Sequence, residues 1–394
     1  MNRFALNHIR LISACIVGLA AGLLVAGLAP SMGVLVIGRG IQGLGSGAVS
    51  TVAYVAIGRG YSDRLQPRMF AVLAGAWVVP GLVGPAAAGA VAQHFGWRLV
   101  FLGLLPFLPL LTLLTFPVLR TLGPNAANPT ASHTGAAVVL AFATGSMLFG
   151  LASSEPFVIV PLVIAGGAAS IASLRRLLPA GTFRAGAGLP AVVATAGLTN
   201  MAFGGAEAFL PFALTEIRGL SPSRAGLALT AAVLSWTAGT QIQSRRAHRW
   251  SPRSLATAGL LFVIAGIGSS AAILVEDVPV FVAAFTWALS GFGMGLTIPT
   301  ISLATLAEGG DDALGAASAS MNLATVLGLA VGTGLGGALV SAGETAGWEP
   351  PVSVAAVFGL MLGLGAVALV TALRMPRAST ARETATTSEG AATA

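Results

Sequence analysis

Twelve residues, Val36-Ile-Gly38-Arg39-Gly40-Ile-Gln42-Gly43-Leu-Gly45-Ser46-Gly47, present three possible chemistries. Gly38-x-Gly40-x-x-Gly43 spells the turn that cradles a dinucleotide pyrophosphate, Arg39 is a permanent cation, and Ser46 carries a hydroxyl. The dinucleotide turn works only between a strand and a helix, inside a βαβ unit with an acid about 20 positions on. That context is missing. Ser46 has Leu44 where an intramembrane serine protease motif needs glycine. A phosphate-binding P-loop is excluded as well, because it needs Gly-Lys-Ser/Thr and all 20 basic residues of the chain are arginine. The one cysteine, Cys15, and the scattered His8, His94, His133 and His248 form no ligand spacing, so no metal and no cofactor are expected. What remains is Arg39 itself and one acid, Glu207, in Gly204-Gly-Ala-Glu207-Ala-Phe209.

The surroundings decide what those two charges can do. The chain has 394 residues, 55% of them hydrophobic and only 8% charged, with mean hydropathy +0.88. Soluble domains carry about 25% charged residues, so this is a membrane composition. About 20 apolar residues cross the hydrocarbon core as a helix. Apolar runs between arginine clusters, prolines and glycines predict twelve spans, near 11–28, 33–57, 69–93, 99–119, 136–151, 157–174, 190–215, 223–243, 255–274, 279–304, 314–341 and 353–373. Residues 1–28 imitate a signal peptide, but the apolar run exceeds the usual core of about 7–15 residues and further spans follow. Residues 376–394, without Leu, Ile, Val or aromatic side chains, read as a disordered tail.

The net charge of +7 does not point to nucleic acid, because the arginines fall in short groups between spans rather than on one solvated face. They follow the positive-inside rule instead. With a cytoplasmic N-terminus, sixteen arginines lie in inner loops and ends, and only Arg98, Arg218 and Arg224 lie outside. The one left over is Arg39, inside a span. Both termini are therefore expected in the cytoplasm. A charge at mid-bilayer costs at least about 2.5–3.5 kcal/mol, so Arg39 and Glu207 are expected to face the bundle interior and to work there.

The chain also repeats itself at an offset of 248. Gly43, Gly45 and Gly47 match Gly291, Gly293 and Gly295; Asp63 matches Asp311, Gly84 matches Gly332 and Gly89 matches Gly337. Arg39 falls on Trp287. Same-direction repeats of this kind build transporters. In this register the spans 190–215 and 223–243 have no partners in the first copy, and the pair 136–151 and 157–174 stands outside the repeat. The expected organisation is a shortened N-terminal half over 1–119, a linker with two extra spans over 120–187, a six-helix C-terminal half over 188–375, and the tail.

These residues resemble a known family. Leu35-x-x-x-Arg39-x-x-Gln42-Gly43-x-Gly45 is similar to the fourth-helix motif of the major facilitator superfamily, in its fourteen-span drug:proton antiporter branch. Gly75 with Gly84-Pro85-Ala-Ala-Ala-Gly89 resembles the fifth-helix antiporter motif, with Pro80 and Ala88 where the family has glycine. Gly96-Trp-Arg98-x-x-Phe101 resembles the segment entering the sixth helix, and the loop 244–253 resembles a degenerate second copy of the cytoplasmic gating loop. The first copy of that gating loop would precede Met1.

The resemblance implies an all-α integral membrane protein, a helical bundle that exports small amphipathic compounds or drugs across a bacterial plasma membrane in exchange for protons. It assigns Arg39 to proton transfer, with Glu207 a second carrier read from its place in a span. Gln42, Gly43, Gly45, Gly84, Pro85 and Gly89 are expected at helix-packing positions. Asp63, Arg64, Arg245 and Arg249 are expected at gating loops. The partners implied are a small-molecule substrate, protons and the lipid bilayer. The competing expectation is a non-transporting truncated product or a fragment with a misassigned start, lacking the first two helices of the family.

Overall fold

The computed structural model describes residues 3–60, 66–121, 134–153, 155–247 and 249–377, and the regular elements among them are all helical. In a bilayer every backbone N–H and C=O must find its partner within the segment, which leaves the helix as the solution for apolar runs of this length. Twelve α-helices result: α1 (Arg3–Gly27), α2 (Met32–Gly60), α3 (Gln66–Phe95), α4 (Trp97–Leu102), α5 (Phe107–Thr121), α6 (Thr134–Leu151), α7 (Pro156–Leu177), α8 (Leu189–Phe212), α9 (Pro222–Arg246), α10 (Pro252–Ser270), α11 (Val282–Thr345) and α12 (Pro350–Ala372). Proline opens α7, α10 and α12, where the missing N–H costs nothing. Ser251 caps α10 by accepting from the Ser254 N–H at 3.1 Å.

Seven stretches among the described residues are long and apolar enough to cross a membrane: Trp97–Leu114, Phe157–Leu177, Leu189–Ile217, Pro252–Leu274, Val282–Gly309, Ala316–Thr345 and Pro350–Ala372. Ser13–Gly27 and Gly135–Leu151 are shorter apolar helices. Four expected spans are drawn differently. The run 99–119 breaks into α4 and α5 at 103–106, where tight turns carry the Leu104 N–H onto the Phe101 carbonyl and the Leu105 N–H onto the Leu102 carbonyl. The runs 279–304 and 314–341 are joined by helical backbone into α11. The run 190–215 does not end at Phe212 but continues as a π-turn, Ala213–Ile217. The helices also outrun their apolar cores, so Glu216, Glu308 and Glu344 sit on the final turns of spans, and Glu207 is not alone there.

The chain divides into two compact units, residues 1–131 with 221–226, and residues 132–220 with 227–394. In the first, α1 and α2 cross through small residues: Gly22 against the backbone of Gln42, Gly38 against Ala26, and Gly45 against Cys15 and Leu19. Without a hydrophobic force between helices in lipid, such small residues give the close approach that holds them.

In the second unit, contact registers fix the helix directions. Thr195 and Thr371 share a hydrogen bond of 2.9 Å while Gly205 meets Met361, so α8 and α12 are antiparallel. Gly266 meets Ser290 and Gly259 meets Thr297, so α10 and the first half of α11 are antiparallel. Gly197, Met201 and Phe209 of α8 meet Gly328, Gly332 and Gly336 in ascending order, so the second half of α11 runs parallel to α8. Ascending contacts from Gly291 to Ala232 and from Gly295 to Thr240 set α9 parallel to the first half of α11. Thr305 donates to the Met321 Sδ at 3.2 Å, sixteen residues on, so α11 turns back between its two halves and the directions alternate in chain order from α8 to α12.

Candidate functional site

The helix α2 carries Arg39 on an exposed face. Its guanidinium donates to Gln42 Oε1 at 2.5 Å, one helical turn on, and stands 5.7 Å from the centre of the Phe101 ring. The i,i+3 spacing that links Arg39 and Gln42 in the motif is therefore a hydrogen-bonded pair. The glycines around it divide. Gly38 and Gly45 take the close approach of α1, and the Gln42 backbone receives Gly22. Gly40 and Gly43 meet nothing within 4 Å. Gly43, on the side of α2 away from the α1 crossing, and Gly84 have no neighbour within 4 Å among the described residues. Gly89 does pack, its α-carbon facing the Pro222 carbonyl and Ser223. Pro85 lies within α3, and its side chain is outside the described residues.

The second charge sits on α8. Glu207 is half-buried and has no hydrogen-bond or ion-pair partner among the described residues. One turn before it on the same face, Phe203 stacks on Trp287 at 5.0 Å and meets Trp236 edge-on at 5.9 Å. The adjoining faces of α8 are occupied: Gly204 is closed by Leu329, and Gly205 by Met361 and Gly332. Glu207 thus lies beside an aromatic cluster, on a helix packed against α11 and α12. Arg39 belongs to the first unit and Glu207 to the second.

The sequence model of the Major Facilitator Superfamily matches residues 3–206, more than half of the chain. The chain belongs to the Major Facilitator Superfamily. Among curated relatives, a "Probable multidrug-efflux transporter" of Mycobacterium tuberculosis strain H37Rv is 26% identical over 350 residues, covering 84% of this chain and 73% of the relative. The Methylenomycin A resistance protein of Bacillus subtilis strain 168 is 23% identical over 359 residues, covering 87% and 75%. Among solved structures, a peptide transporter in complex with alafosfalin superposes with a TM-score of 0.63 at 16% identity, covering 93% of this chain and 80% of that one. A human organic anion transporter superposes with a TM-score of 0.58 at 16% identity, covering 93% and 76%. These superpositions concern the fold. The family match and the transporter relatives make the chain a membrane transporter rather than an enzyme.

Of the gating-loop candidates in this superfamily chain, Asp63 and Arg64 lie outside the described residues. Arg245 lies in the last turn of α9 and Arg249 follows the helix, both exposed. Neighbouring arginines are tied down: Arg253 donates to the Met375 carbonyl at 2.9 Å, Arg374 to the Arg184 carbonyl at 2.7 Å, and Arg246 stands 5.2 Å over Trp250.

Two further residues stand out in the structure alone. Arg218 donates to four carbonyls, Ile273, Val275, Glu276 and Val278, at 2.6–3.1 Å, and so pins the end of α8 to the segment after α10. Trp287 is fully buried, with its indole N–H unpartnered among the described residues. Arg218 could have been noticed as one of few arginines at the arginine-poor end; Trp287 only as the repeat partner of Arg39.

Proposed function

We propose that the chain is a proton-coupled exporter of small amphipathic compounds or drugs, of the fourteen-span antiporter type, working by alternating access in a bacterial plasma membrane with both termini in the cytoplasm. The observation that carries this reading is Glu207, a carboxyl within a membrane helix that has no ion-pair partner among the described residues. A carboxyl paired to an arginine is held charged, whereas an unpaired one is free to gain and lose a proton. Its neighbours Phe203 and Trp236 offer the apolar and π surfaces that amphipathic molecules use. The efflux and resistance names of the two bacterial relatives agree with export. The arginine asymmetry supports the orientation.

Arg39 enters the same cycle as a fixed cation whose hydrogen-bond partner, Gln42, is neutral. Its planar fork holds the Gln42 oxygen while leaving other N–H groups for a proton-carrying water or carboxylate, which the ammonium of lysine reproduces poorly. In proteoliposomes with an imposed pH gradient, Arg39→Lys is expected to fold normally and to transport a fluorescent amphipathic drug more slowly than the unsubstituted chain. Transport at the unsubstituted rate in Arg39→Lys would remove Arg39 from the proton step.

A further inference from the structure

At the arginine-rich end of the second unit, a cavity of about 460 Å³ opens between the α9–α10 loop, the first half of α11 and the segment after α12. Gln243, Arg249, Ser251, Thr300, Glu308 and Arg377 line it, with Trp250, Leu255 and Leu303 as apolar wall. Four features give it one chemical character. Gln243 is only 3% exposed, and its amide nitrogen is closed off from solvent with no hydrogen-bond partner among the described residues. A buried donor left without an acceptor is costly, and it is satisfied when a ligand supplies one. Arg249 and Arg377 have no partner among the described residues, unlike Arg253 and Arg374 beside them, which are spent on carbonyls. The 19-residue helix α10 begins at the cavity with Ser251 and Pro252, so the positive end of its dipole points there. The single carboxylate of the lining, Glu308, has its Oε2 against Gly188, at the place a Cβ would reach at 2.8 Å.

We propose that this cavity is a phosphate-binding site, taking either the headgroup phosphodiester of an anionic lipid or a soluble phosphate or phosphomonoester. The guanidinium groups of Arg249 and Arg377 present planar donor pairs that match phosphate oxygens bidentately. The α10 N-terminus adds its field, and the Gln243 amide, closed off as it stands, donates once its side chain turns toward an acceptor in the cavity. The volume lies within the range of small-molecule sites, about 300–1,000 Å³. The apolar wall suits the glycerol and upper acyl carbons of a lipid, and its polar face suits a free phosphate equally. Arg39 and Glu207 are not among its lining residues, whereas Arg249 is also a gating-loop candidate, so a bound phosphate would sit at the proposed gate.

The test uses the full chain, purified and held either in detergent or in nanodiscs of phosphatidylcholine with and without phosphatidylglycerol. Inorganic phosphate and glycerol 3-phosphate are titrated calorimetrically in detergent, and retained phosphatidylglycerol is read by native mass spectrometry from nanodiscs. Saturable binding of the soluble anions identifies a soluble ligand, while retention of phosphatidylglycerol without it identifies the lipid. In either case Arg249→Gln with Arg377→Gln is expected to weaken binding at least about tenfold, Gln243→Leu less, and the surface variant Arg176→Gln not at all. In the unsubstituted chain, the ligand should also protect Arg249 and Arg377 from phenylglyoxal, a reading that does not depend on the variants folding. Absence of binding in both arms, or binding that neither the double variant weakens nor the protection pattern places on these arginines, overturns the proposal.

Discussion

The α1–α2 pair of the first unit and the α10–α11 pair of the second are copies of one another in register but not in environment. Gly45 meets Cys15 in the first, and Gly293 meets Val263 in the second, each 248 residues further on. The close crossing is thus repeated residue for residue. The outer faces are not. Gly291 packs on Ala232 and Ser235 of α9, and Gly332 on Met201 of α8, whereas their partners Gly43 and Gly84 meet nothing within 4 Å among the described residues. At the charged position the contrast is larger still: Arg39 is exposed and bonded to Gln42, while Trp287 is fully buried and stacked on Phe203. The glycines of the crossing serve the fold in both copies. Arg39 takes no part in that crossing and bonds only along its own helix, to Gln42.

Exchanging the side chains at the charged position should separate the copies most. Trp287→Arg places a charge in a fully enclosed aromatic stack, at a cost of several kcal/mol, and little folded protein should be recovered by size-exclusion chromatography. Arg39→Trp should give normal amounts of folded protein that lacks pH-driven transport. If both exchanges fold alike, the two positions do not differ as described.

The crossing glycines come next. A Cβ at Gly45 would stand 2.6 Å from the Cys15 carbonyl oxygen, and one at Gly293 2.7 Å from the Val263 nitrogen. Gly45→Ala and Gly293→Ala must each push two backbones apart, and overpacking of this kind costs about 1–3 kcal/mol. Thermal unfolding in detergent should show similar losses at both sites. The smallest effect separates the outer faces. Gly291→Ala runs into the Ala232 carbonyl and should destabilise, whereas Gly43→Ala meets open space and should be neutral or gain up to about 1 kcal/mol of helix propensity.

The comparison also marks what could be read before any coordinates. Which stretches are helical follows from length and hydropathy alone, and the repeat register follows from Gly43, Gly45 and Gly47. Which face of a helix packs does not, because helices apolar all round carry no amphipathic stripe to point inward. Gly43 and Gly45 therefore look equivalent in the sequence, and only the crossing distinguishes them. Arg39 was legible because an isolated charge in an apolar run must be explained. Arg218 was not, since its four carbonyl partners follow α10, more than fifty residues away. The two runs within α11 were legible as separate spans, Val282–Gly309 and Ala316–Thr345, whereas the helical backbone through the polar residues between them was not, because such a stretch reads as a loop.

The proposed mechanism turns on Glu207 as the group that exchanges the proton. Replacing it with glutamine keeps the shape and removes the titration. Reconstituted Glu207→Gln should still exchange labelled drug across the membrane in a counterflow assay, and should fail to accumulate drug against its gradient when a pH difference is imposed. Loss of pH-driven accumulation with counterflow preserved is the predicted result. Accumulation equal to that of the unsubstituted chain would contradict proton coupling through Glu207.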